Sequence, residues 1–121
     1  ILNDGQIELI AECMNEVKMF NAPVTSDDLK AILSCKPKVI FRSNNNRYLA
    51  FLFSELSYRN LITPNWQSVI ANHKLFLSKD KSRDKYLNQG DLATATNYVK
   101  DIDHVKGYAI IDKYIKQLKK L

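Results

Sequence analysis

Between residues 46 and 60 the chain carries apolar side chains around most of a helical circumference. Leu49, Leu52, Phe53 and Leu56 recur at helical spacing on one face, and Tyr48, Phe51 and Tyr58 widen it. A surface helix needs only a narrow apolar stripe, so an arc this broad must be covered from more than one side. The segment is read as the central helix of a core, and other amphipathic segments must wrap it. Ser43 and Asn44 to Asn46 supply the residue types that cap a helix start.

The segments that could wrap it are present on both sides. Residues 6–20 place Ile7, Ile10, Ala11, Met14 and Val17 on one helical face, with Glu8, Glu12 and Glu16 in a row on another. That row reads either as a solvated face or as an acidic ridge answering a basic surface. Asn21-Ala22-Pro23 breaks the pattern. Thr25 and Asp28 then stand at capping-box spacing before Leu29, Ile32 and Leu33, and Pro37 closes that segment. Val39, Ile40 and Phe41 read as a short strand or extended crossing. Thr63-Pro64 signals a helix start ahead of Trp66, Val69, Ile70 and His73. Asn88 and Asp91 repeat the capping spacing before Leu92, Ala95 and Val99. After a connector at 101–107, Ile111, Tyr114, Ile115 and Leu118 define a last helix, with Lys113, Lys116 and Lys120 along its outer side. The fold class is therefore mainly α, one compact bundle of about six helices over residues 1–121 with at most a short strand or hairpin. A chain that opens on Ile1 instead of Met is expected to be processed or to be part of a longer protein.

Composition narrows the function classes. Three glycines, none in a phosphate-cradling pattern, argue against nucleotide chemistry. Cys13, Cys35, His73 and His104 lack the spacing of metal ligands, and no nucleophile stands beside a base in a recognisable motif. Glu55 has Arg59 four residues on, in the order that favours a surface ion pair over a catalytic carboxyl. The reading is of a non-enzymatic domain with no cofactor, no metal and no small-molecule substrate. The longest apolar run, Tyr48 to Phe53, is far short of the about 18 residues that span a bilayer. Two cysteines in apolar helical patterns read as buried free thiols, which suits a reducing, cytoplasmic compartment.

Charge gives the one positive indication. The net charge is +5, but residues 1–34 hold two lysines against six carboxylates, while residues 35–121 hold sixteen cations against seven. Lys79, Lys81, Arg83 and Lys85 alternate in one polar segment. If Leu75–Ser78 and Lys85–Leu87 pair as a hairpin, that segment becomes a basic wing able to touch phosphates, a winged-helix-like feature. The short link through Leu61 and Ile62 suggests a helix-turn-helix, whose second helix carries Asn65, Gln67, Ser68 and Asn72. Asn and Gln can read adenine edges. Lys113, Lys116 and Lys120 add a basic helix side. The partner expected from these features is duplex DNA, and the alternative is a protein–protein interaction or scaffolding domain.

The run "NRYLAFLFSELSYRNLITPNWQSVIANHKLF", followed after a polar gap by "LNQGDLATA", resembles small helical proteins of Bacteroidetes mobile elements. More distantly it resembles the C-terminal part of RteC-type regulators of conjugative transposons. The resemblance covers about residues 45–97 and implies DNA binding and transcriptional control. The charged loop at 79–85 departs from that family's more continuous helical tail, and no functional residue is carried over.

Overall fold

The computed structural model describes residues 2–119. Among them are six helices and one two-stranded parallel sheet: α1 (Asp4–Glu16), α2 (Ser26–Leu33), β1 (Phe41–Arg42), α3 (Asn46–Tyr58), α4 (Trp66–Asn72), β2 (Phe76–Leu77), α5 (Gln89–Val99) and α6 (Gly107–Leu118). The mainly helical class read from the sequence is the class observed. No described helix is long and apolar enough to cross a membrane.

α3 is the central helix. Leu49, Ala50, Phe51, Leu52, Phe53 and Leu56 are all buried, and α5 and α6 flank it. Tyr58 departs from the expected arc. It is 85% exposed, in the last turn of the helix. α1 packs on α2 and α6, and α4 packs on α5. Trp66 is only 6% exposed, with its ring centroid 5.6 Å from that of Phe53.

The helix starts follow local chemistry. Thr25 with Asp28 and Asn88 with Asp91 form full capping boxes, as their spacing predicts. A third, Asn3 with Gln6, starts α1 two residues earlier than apolar spacing alone indicates. The helix ends needed the structure. α1 stops at Glu16, so Met19 and Phe20 are not helical: Lys18 turns left-handed (φ 50°), and Phe20 leaves to bridge Ser43. Cys35, Asn60 and Lys74 end α2, α3 and α4 in the same left-handed way. That position usually holds glycine, and this chain fills it with side-chain-bearing residues at some conformational cost.

Cys35 is therefore not in a helix, and it is only partly buried. Cys13 is fully buried in α1, and its thiol is pushed up to about 12, first by burial and then by Glu16 and Glu12 nearby. The strand also shifts from its expected place. Val39 is 52% exposed, and the paired residues are Phe41 and Arg42, which run parallel to Phe76 and Leu77. Phe41 reaches the aromatic core while Val39 has nothing to pack on.

α6 begins against α3. Gly107 lies so close to the Tyr48 ring that a Cβ there would overlap it. Tyr48 and Phe51 meet Tyr108 edge-on at 4.9 and 5.4 Å, closing the α3–α6 interface.

Two measurements test this packing. Trp66→Ala should cost about 3–5 kcal/mol in a denaturant titration, the usual loss for a large aromatic removed from a core; a loss under about 1 kcal/mol would mean that the ring is not a core element. Alkylation of the native protein at mildly alkaline pH should modify Cys35 and spare Cys13, whereas unfolded protein should take up reagent at both. Native labelling of Cys13 would contradict its burial.

Candidate nucleic-acid interface

The hairpin that the basic segment requires is present. Leu77 and Tyr86 form an antiparallel bridge, Ser78 N–H donates to Lys85 O (2.6 Å), and Leu87 N–H donates to Phe76 O (2.9 Å). Lys79, Lys81, Arg83 and Lys85 are exposed in the loop between these strands, and none is in an ion pair among the described residues.

What holds the loop is Arg42. In the β1–β2 register Arg42 lies opposite Leu77, next to where the chain enters the loop. Its Nη1 donates to three carbonyl oxygens, those of Ser78 (2.9 Å), Asp80 (2.8 Å) and Arg83 (3.1 Å). Its Nη2 donates to Asp84 Oδ1 at 2.7 Å. The Arg42 side chain is only 12% exposed, whereas Asp84 is 87% exposed, so the guanidinium leaves the protein body to make charge-assisted bonds at the loop surface. Asn21 completes the anchor by accepting from Arg42 N–H at 2.8 Å.

The loop's two carboxylates are held differently. Asp84 is neutralised by Arg42. Asp80 accepts from both the hydroxyl (2.6 Å) and the N–H (3.0 Å) of Ser82, and these bonds hold its carboxyl below the usual range. Both loop carboxylates thus accept hydrogen bonds inside the loop's own framework, and among the four cations Lys85 also acts on Asp80 through its charge.

The other residues singled out from the sequence fall elsewhere. Asn65 is exposed but precedes α4, because the helix starts at Trp66 and not at Pro64. The α3–α4 connection runs Arg59–Asn65, longer than the three or four residues of a tight helix-turn-helix. Gln67 is half-buried and donates to Thr96 Oγ1 of α5 at 3.0 Å, so its side chain is engaged inside the protein. His73 is exposed at the end of α4 instead of continuing the Trp66 stripe. Lys113 is exposed, Lys116 pairs with Asp112 at 2.9 Å, and Lys120 lies outside the described residues. Glu55 and Arg59 form the expected ion pair. Of the acidic row on α1, Glu16 accepts from the Tyr114 hydroxyl at 2.7 Å, and Glu8 and Glu12 are exposed. No group of three His, Cys, Asp or Glu that could hold a metal ion occurs among the described residues.

Two clefts flank these elements. One, about 730 Å³, adjoins Lys79 and lies between the first turn of α3 and α5, where the Arg47 guanidinium sits over the Tyr98 ring. The other, about 710 Å³, is mainly apolar and is lined by Leu33, Leu61, Ile62, Trp66 and Val69, with the exposed Asp4–Lys30 pair (3.1 Å) beside it. Neither Arg42 nor the Arg47–Tyr98 pair was legible locally. Each depends on partners distant in sequence, and the only hint was an aromatic, Tyr98, off the buried stripe of α5.

Arg42→Lys keeps the charge but removes the fork that reaches several carbonyls at once. It should lower stability by about 1–3 kcal/mol and speed amide hydrogen exchange across residues 78–87. Unchanged exchange there would show that the hairpin bonds alone hold the loop.

Compared with known proteins, the chain matches no family model, no curated protein and no solved structure.

Proposed function

We propose that this chain is a non-enzymatic nucleic-acid-binding or regulatory accessory domain that acts in the cytoplasm and contacts duplex DNA through the 79–85 loop. The observation that carries the reading is the loop's asymmetry. Of its two carboxylates Asp84 is paired with Arg42, and four cations, Lys79, Lys81, Arg83 and Lys85, are exposed against the one remaining anion, Asp80, on a backbone fixed by Arg42. A fixed loop of exposed cations loses little backbone freedom on meeting phosphates, which favours binding. Such contacts position a protein on nucleic acid without reading sequence. Lys113 and Lys116 would add long-range attraction, Lys116 less so because Asp112 shares its charge. Asn65 remains available to a groove, whereas Gln67 would first have to leave Thr96. The resemblance of about residues 45–97 to RteC-type regulators supports the regulatory half of the reading.

A second reading, a protein-interaction or scaffolding domain, is favoured by the apolar cleft beside Trp66. Half-buried apolar side chains such as Leu33, Leu61, Ile62 and Val69 line it, and partner proteins commonly cover surfaces of that kind.

Fluorescence anisotropy with labelled duplexes separates the two. With about four phosphate contacts, log affinity should fall against log salt with a slope of roughly −3 to −4. Lys81→Glu with Arg83→Glu should weaken binding to all sequences alike. No binding at tens of micromolar protein, or binding indifferent to salt and to the double reversal, leaves the protein-interaction reading ahead.

A further inference from the structure

The cleft beside Lys79 differs from the loop in its chemistry. It is concave, and it holds a flat cation–aromatic pair: the Arg47 guanidinium carbon lies 3.4 Å from the Tyr98 ring centroid. Tyr98 is 52% exposed, on the flank of the α5 stripe formed by Leu92, Ala95 and Val99. An aromatic ring left half in water and topped by a guanidinium is a stacking platform. Amides surround it. Asn44 spends its NH₂ on the carbonyls of Lys18 and Phe20, which leaves its oxygen as an acceptor, and the Asn97 side chain has no hydrogen-bond partner among the described residues. The one carboxylate lining the cleft, Asp91, accepts from Asn88 N–H at the start of α5, so Arg47 and Lys79 outweigh it.

Resting on the nucleic-acid reading above, we propose that this cleft takes an unpaired base of a single strand, stacked on the Arg47–Tyr98 pair, with a neighbouring phosphate on Lys79. The volume, about 730 Å³, is in the range of sites that enclose a small organic group. A base within a duplex could enter only by leaving its stack and its partner, so the cleft discriminates strands that the loop does not. Lys79 belongs to both surfaces, and a strand crossing the loop would pass directly into the cleft.

Anisotropy on the intact chain tests this with labelled oligothymidine of about 15 nucleotides and a duplex of the same length. Tyr98→Ala should weaken oligothymidine binding about five- to tenfold, at the lower end of what one stacked base contributes, and duplex binding by less than about twofold. Tyr98→Phe should retain the affinity. Arg47→Gln, which leaves the core untouched, should weaken the single strand selectively and serves if Tyr98→Ala melts early. If both strands bind but these substitutions have no effect, or act equally on both, the cleft is not a base site, and the loop reading stands. If neither strand binds, both readings fall. If free thymidine monophosphate competes as well as the strand, nucleotide for nucleotide, the cleft is a mononucleotide site and strand binding there is overturned.

Discussion

Phe76 is completely buried, and it fixes the position of almost everything that bears on function. Its ring stacks on Phe20 at 4.8 Å and meets Phe53 edge-on at 6.4 Å; Phe20 in turn meets Phe41, and Phe53 meets Trp66. This aromatic knot joins the end of the α1 segment, β1, α3, α4 and β2 at one point. Ring pairs of this kind add to the burial of their area, so sliding any one element would forfeit several contacts together. The β1–β2 register follows: Phe41 opposite Phe76 turns both rings into the core. Side chains alternate along a strand, so Arg42 turns to the other side. In that register its guanidinium reaches the loop carbonyls.

The loop thus inherits its shape from the core. A run of alternating lysines would ordinarily be a solvated, fluctuating segment. Here one largely buried guanidinium ties its entry, turn and exit together and also takes up Asp84. The excess of four cations over two carboxylates is compositional, but the pairing of Asp84 with Arg42, which widens that excess at the surface, is a consequence of packing. The acidic row of α1 is partly absorbed in a comparable way. Glu16 takes the Tyr114 hydroxyl, which holds that phenol above its ordinary range through the hydrogen bond first and burial second.

Scarcity of glycine shapes the backbone. Lys18, Cys35, Asn60 and Lys74 adopt the left-handed turn at helix ends, and Asp101 and Lys106 take positive φ in the connector to α6. The glycine next to Lys106 serves a different purpose. Gly107 lets the start of α6 press against Tyr48, a contact that no side chain would permit. The chain therefore spends a glycine on close helix packing and meets its sharp turns with ordinary residues.

The sequence by itself determined the helical class, the centrality of α3, two of the capping boxes, the buried stripes of α5 and α6, and a loop rich in basic residues whose closure as a hairpin it left conditional. These are local or periodic properties: a cap needs residues three apart, and a stripe needs only helical spacing. Tertiary structure decided where helices end, since left-handed turns at lysine or cysteine carry no compositional mark. It decided that Gln67 serves α5, that Cys35 lies outside a helix and that Tyr58 is solvent-facing. It also decided the role of Arg42 and the stacking of Arg47 on Tyr98. Those depend on groups brought together from distant parts of the chain, and the core geometry that brings them together is set by many side chains at once.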